Sequence, residues 1–386
     1  AQAMIDPARA AGEVGRAMRK LSAPLPFDRQ PPKFLEELET FSPSSIKPSG
    51  DIAIETPPLL PVSSNSITKL SLAEAVSSLS SGKLTSQQIT RACLNRINAV
   101  GETLNCIAEI DAEAAMDAAL AMDMRIEKGE TPGPLAGIPL AHKDMFYRLN
   151  RKSECGSNIR KDFMPEVTSG VLERLDAAGA LDIARLNMVE FAIGVTGHNE
   201  ITGPVRNPWN TDYITGGSSS GSGAAVAAGL VFGALGSDTG GSIRFPASCC
   251  GLVGLKPTYG RVSRFGTMPL SYSLDTVGPL TRTVTDNALL FQTISGYDKR
   301  DTASSYLKTS DVISKLDAGV QGLRLGVPQN YFFETLSKKM HGLMDSAIDI
   351  FCRLGAEIVP VTIPKSITAA NGLTSLITST EGAAIH

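Results

Sequence analysis

Two Gly-Gly-Ser tripeptides on either side of an apolar run constrain this chain more than anything else in it. The stretch from Thr215 to Pro246 reads TGGSSSGSGAAVAAGLVFGALGSDTGGSIRFP. Hydroxyls gather at its two ends: Ser218, Ser219 and Ser220, then Ser237, Thr239 and Ser242. A glycine pair reaches positive φ and lets another group come close. Each tripeptide therefore reads as a tight turn presenting a hydroxyl and backbone N–H groups. The alanines from Ser220 to Leu230 favour a helix that starts at the first turn and aims its unsatisfied donors and partial positive charge at the serines.

Other readings compete. Gly/Ser-rich text is often a flexible linker, but a linker has nothing to bury, and this one continues into Ala-rich apolar sequence. A phosphate-cradling loop needs Lys after its last glycine, and no Lys lies between Thr215 and Pro246. Gly221-Ser222-Gly223 is a weak partial match to a dinucleotide fingerprint. Residue chemistry alone leaves three readings open: a catalytic serine site, an anion-binding loop, or a packed small-residue hairpin.

The rest of the chain supplies the frame. Its 386 residues are 42% hydrophobic and 19% charged, which suits a globular protein with a sizeable core. The net charge of −3 offers no basic face for nucleic acid. Cys93, Cys106, Cys155, Cys249, Cys250 and Cys352 form no C-x-x-C pair, so they read as core or free thiols in a reducing, cytoplasmic compartment. No apolar run is long enough to span a membrane. No metal site and no cofactor are expected. Residues 1–66 read as a helix over Asp6 to Leu21 followed by a Pro/Ser-rich extension, and residues 67–386 as the folded domain. There, Leu72, Val76 and Leu79 recur at helical spacing up to Gly82. Thr85-x-x-Gln88 makes a capping box before Ile89, Cys93 and Ile97. Asp111 to Lys128 reads as a helix closed by Gly129, and Ser169 to Ala178 as one closed by Gly179. Strands are expected over Ile138 to His142, Leu181 to Leu186, Leu323 to Val327 and Ala356 to Val361, with a helix over Ser337 to Leu354. Helices and strands alternate, which argues for an α/β fold with a central sheet covered by helices on both faces.

A serine that attacks an amide needs a base to take its proton. Only four histidines are present: His142, His198, His341 and His386. Strand alternation turns His142 to the opposite face from Lys143, and the other three lie in no catalytic-looking motif; His198 reads as structural. Lysine is the remaining base. Burial lowers a lysine's pKa into a useful range, and Lys143 ends an apolar strand. On its own, a surface lysine paired with Asp144 is the favoured reading.

Sequence motifs resolve that choice. The GGSS opening and D-x-GGSIR-x-P close resemble the amidase signature family. The likeness extends through Cys250 to Arg261 (CGLVGLKPTYGR) and Ser273 to Pro279 (SLDTVGP), back to Gly137 to Asp144 (GIPLAHKD), and covers roughly Ile67 to the C-terminus. The resemblance implies a single large domain with a central mixed sheet. It implies an amidohydrolase of non-peptide C–N bonds with a Ser-cisSer-Lys triad: Ser242 as nucleophile, Ser218 as proton relay behind a cis Gly217–Ser218 bond, and Lys143 as base. The oxyanion would be held by N–H groups of Thr239, Gly240, Gly241 and Ser242, with Ser219, Ser220, Ser237, Asp238 and Arg244 supporting them. Pro246 and Ser248 read as structural. Members usually run longer, so the domain is expected to be incomplete at its C-terminus. The implied partners are water and a small amide, anilide, ester or carbamate; a homodimer stays open. The alternatives are a non-catalytic ligand-binding member, or an amidotransferase subunit that releases ammonia within a complex. The tRNA-dependent amidotransferase branch usually carries Gln where this chain has Thr276, which tilts against that second role. Ser153 to Ser157 also departs from the family's usual Thr-Thr-x-Gly-Ser and leaves the acyl pocket open. Phe146, Tyr147, Met188, Phe191 and Ile193 fit either an apolar channel or the core.

Overall fold

The structure is a computed structural model that describes residues 66–386 apart from Thr131. Residues 1–65, and with them the helix and the Pro/Ser-rich extension expected there, lie outside the described residues.

The described chain opens with α1 (Leu72–Ser80) and α2 (Ser86–Leu104). Both start at capping boxes: Ser71 and Glu74 for α1, Thr85 and Gln88 for α2. In each, the hydroxyl accepts an orphan N–H of the first turn while the Glu or Gln reaches back to the cap's own N–H. Next come β1 (Ile107–Ile110), α3 (Ala112–Glu127), β2 (Pro139–Lys143), α4 (Gly170–Ala177) and β3 (Leu181–Leu186). The central stretch gives α5 (Ser220–Ala227), β4 (Gly233–Asp238) and α6 (Arg244–Cys250). After it run β5 (Val253–Gly254), β6 (Thr276–Thr281) and α7 (Val284–Ile294).

These strands form one mixed six-stranded sheet in the order β1-β3-β2-β4-β6-β5. At its centre β2 runs parallel to both neighbours, with His142 opposite Arg185 of β3 and Leu235 of β4. The carboxyl ends of β2 and β4 therefore lie side by side, and they end on Lys143 and Asp238. Two glycines of β4 mark the layers on the two faces. A Cβ on Gly233 would meet Leu290 of α7 at 2.6 Å, and one on Gly236 would meet the Ser219 hydroxyl at the start of α5 at 2.8 Å. Positions three apart on a strand face opposite ways, so α7 and α5 cover opposite faces. Ile89, Ile138, Leu140, Ile183, Leu186, Phe232, Leu235 and Leu290 fill one continuous core.

Strands β1, β4, β5 and β6 have no counterpart among the strands expected from the sequence. GALGSD of β4 lacks the β-branched residues that advertise a strand, and β6 holds Gly278 and Pro279. A strand glycine often marks close approach of another backbone. A Cβ on Gly278 would collide with the Leu255 carbonyl.

Beyond α7 the chain forms β7 (Arg324–Pro328), α8 (Lys338–Arg353), β8 (Glu357–Val361) and α9 (Ala370–Ile385). The expected strands here do not join the central sheet. They pair with each other, parallel, as a separate two-stranded sheet.

Candidate active site

Lys143 is among the largest fully buried side chains of the described residues. Its Nζ donates to Ser218 Oγ at 2.7 Å and to Ser237 Oγ at 2.9 Å. Burial lowers its pKa from 10.5 to about 7, against the opposing pull of Asp275 and Asp238. A lysine at that value is a usable proton acceptor near neutral pH. The alternative of a surface lysine paired with Asp144 does not hold. Asp144 turns away to Arg185, 2.5 Å distant, and takes the N–H groups of Glu154 and Gly156.

Ser218 is fully buried and follows a cis Gly217–Ser218 peptide bond. Its carbonyl accepts from the Val189 N–H at 3.2 Å. The turn before it has no spare room. A Cβ on Gly216 would lie 2.9 Å from Pro246 Cα, and one on Gly217 would lie 3.0 Å from the Gly197 nitrogen. Ser219 ties the start of α5 to β4: its hydroxyl donates to the Ser237 carbonyl and accepts the Ser237 N–H. Ser220 Oγ is buried without a hydrogen-bond partner among the described residues.

The second turn leaves the end of β4. Asp238 organises it. Its carboxylate accepts the N–H groups of Gly241, Ile243 and Arg244, and both of its oxygens pair with the Arg244 guanidinium at 2.9 and 3.0 Å. Burial pushes the Asp238 pKa up, and these bonds outweigh it, so the carboxylate is held below its usual value. Gly241 takes φ 143°, and no atom outside its neighbours would touch a Cβ placed there. Ser242 follows, 8% exposed, just ahead of Ile243, the N-cap residue of α6.

The four donors expected to cradle an oxyanion are not equivalent. The Gly241 N–H already serves Asp238 Oδ1 at 2.8 Å. The N–H groups of Thr239, Gly240 and Ser242 have no acceptor among the described residues. Likewise, Ser218 is hydrogen-bonded to Lys143, whereas no hydrogen bond joins the Ser218 and Ser242 hydroxyls. The two turns meet through their backbones instead, the Ser219 N–H donating to the Ser242 carbonyl at 3.3 Å.

The histidines lie elsewhere. His142 is buried and bonded to Asp182 at 2.9 Å. His198 is exposed beside Glu200, and the His341 ring sits near Phe333. The His386 ring centroid lies 4.3 Å from that of Phe191. Of the apolar residues open to two readings, Phe146 and Met188 are buried in the core. Tyr147 and Phe191 pack against it half-buried, and Ile193 is exposed.

Three contacts have no signal in the sequence. Ser237 touches Lys143 directly. Asp275 accepts from the Thr239 hydroxyl at 2.5 Å. Glu381 of α9 takes the hydroxyls of Ser271 and Ser273 and the Ser273 N–H. Asp275 sits inside the SLDTVGP motif, so its position is in view there but its partner is not.

A mixed α/β sheet with a serine–lysine cluster at the carboxyl ends of its central strands defines the class. The chain belongs to the amidase family, whose model matches residues 88–386. It is similar to the A subunit of glutamyl-tRNA(Gln) amidotransferase from Geobacter metallireducens, 45% identical over 284 residues, 74% of this chain and 58% of that protein. Among solved structures it is similar to a chain of a vestigial protein complex tied to the origins of an s-triazine catabolic enzyme (TM-score 0.78, 37% identity, 82% of this chain and 68% of that one). It is also similar to native peptide amidase from Stenotrophomonas maltophilia (TM-score 0.76, 34% identity, 82% and 66%). The chain spans about six tenths of the length of the curated relatives it matches. No helix among the described residues is long and apolar enough to cross a membrane.

Proposed function

We propose that this chain hydrolyses a C–N bond of a small amide through a seryl acyl-enzyme. Ser242 Oγ attacks the carbonyl carbon, its proton passes to Ser218, and the Ser218 proton passes to Lys143 Nζ. The oxyanion is met by N–H groups of the 239–242 turn that have no acceptor of their own. Run backwards, the relay protonates the departing amine and the C–N bond breaks. Water then attacks the ester by the same route and frees Ser242. The observation that carries this reading is the buried Lys143, its pKa lowered to about 7, bonded to the Ser218 and Ser237 hydroxyls. The Ser218–Ser242 hydrogen bond forms in this reading when substrate seats, since catalytic contacts commonly tighten only in the complex. Anilides, esters and carbamates fit the same chemistry.

A fluorophosphonate probe tests the nucleophile. It should label Ser242 in the purified chain, and labelling should lapse as the pH falls below about 7, where Lys143 holds a proton. Equal labelling of a Ser242→Ala variant would rule Ser242 out.

The similarity to amidotransferase A subunits favours a second reading, in which the same site releases ammonia from an amide inside a complex. Glutamine hydrolysis that is silent in the isolated chain and appears with partner subunits would select it. Turnover of small amides by the isolated chain selects the first.

A further inference from the structure

Two carboxylates act on the buried Lys143, and they are held in unlike ways. Asp238 is neutralised by the Arg244 guanidinium. Asp275, 8% exposed, has no cationic partner among the described residues. One of its oxygens accepts from the Thr239 hydroxyl at 2.5 Å. The other accepts the N–H groups of Leu270 and Ser271 at 2.8 and 2.9 Å. The remaining groups facing the lysine are the hydroxyls of Ser218 and Ser237 and the Cys155 thiol, which burial pushes up to about 12 and keeps neutral. Asp144, next in the chain, is matched by Arg185. Asp275 also shares a cavity of about 310 Å³ with Ser237, the hydroxyl that holds Lys143 from that side.

We propose that Asp275 is a positioning residue of this site: it fixes Thr239, and with it the donor turn that leads to Ser242, and it supplies the carboxylate that balances Lys143 when that lysine takes a proton. The inference rests on Lys143 being the base. A buried carboxylate with no cation of its own favours the ammonium formed during the reaction. Its bond to Thr239 has a charged acceptor, which makes it short and strong. It anchors the residue just ahead of two glycines, where the backbone is otherwise least restrained.

The two effects separate in a pH profile of the full chain on butyryl p-nitroanilide and p-nitrophenyl butyrate. Asp275→Asn keeps the size and removes the charge. Its kcat should fall roughly 10–100-fold, the scale of a misplaced donor turn. The acid limb of kcat/KM should move down by about one pH unit, because Lys143 then loses its proton more easily. Thr239→Val keeps the charge and severs the tie, so kcat should fall with the limb in place. Wild-type kcat in Asp275→Asn, a limb that does not move, or a limb shifted by Thr239→Val overturns the proposal. Should Asp275→Asn fail to fold, Asp275→Glu decides: charge retained and geometry displaced, it should lower kcat with the limb unmoved, and wild-type kcat overturns the idea. Lys143→Ala on the ester keeps the two failures apart. A limb that persists there removes Lys143 as the base, whatever Asp275 does.

Discussion

The same tripeptide appears twice in this site and does opposite work. Gly216-Gly217-Ser218 is buried on every side, and a methyl group on either glycine would strike backbone. Gly240-Gly241-Ser242 is open. A Cβ on Gly240 would meet only Thr374 of α9, at 3.8 Å, and one on Gly241 would meet nothing. The first turn uses glycine so that protein can come close. In the proposed mechanism the second uses it so that the backbone can curl around the oxyanion. A repeated sequence motif thus marks two roles, and only packing tells them apart.

Four expectations sharpen or break that contrast. Ser242→Ala should have the largest effect on turnover, a loss of roughly 10⁴-fold or more, with circular dichroism and melting unchanged. If it melts the protein instead, the second turn is scaffold like the first. Ser218→Ala should cost about 10²–10⁴-fold, the usual worth of a proton-transfer group, mainly in kcat. Near-normal activity there would leave Lys143 and Ser242 without a relay. Glycine substitutions come next. Gly216→Ala should lower stability by about 1–3 kcal/mol through backbone clash and its positive φ, and activity should fall with it. Gly241→Ala meets no clash, so its cost is conformational, and it should lower kcat more than the melting temperature. The opposite ranking in a thermal melt would refute the distinction. Smallest of all is Ser220→Ala. Its hydroxyl is buried without a partner, so removal should be neutral or stabilising by up to about 1 kcal/mol, in contrast to Ser219→Ala, which cuts two bonds to Ser237.

Much of the frame is legible in the sequence because it rests on local rules. The capping box at Thr85, the glycines that close α3 and α4, and the bounds of β3 follow from residues near one another in the chain. The strands β4 and β6 are hidden because close packing, not propensity, makes them strands. The motif likeness points to Lys143, Ser218 and Ser242, and the structure brings Lys143 and Ser218 to 2.7 Å. The 2.9 Å contact of Ser237 with Lys143 and the Asp275–Thr239 bond join residues far apart in sequence. No spacing rule forecasts such pairs. Nor does one foresee that Asp238 takes up one of the four expected oxyanion donors.

Strand β4 is pressed by Leu290 on one face and Ser219 on the other, at positions where only glycine fits. Such a strand has almost no freedom to vary. The rim around the open turn is different ground: Tyr272 is exposed, and Thr374 reaches toward Gly240 from a helix that is itself largely open to solvent. Mutational drift can therefore redraw the mouth of the site while leaving the serine–lysine apparatus unmoved. Tolerance to change is partitioned within a few ångströms, and a new specificity would be sought at the rim and not in the strand.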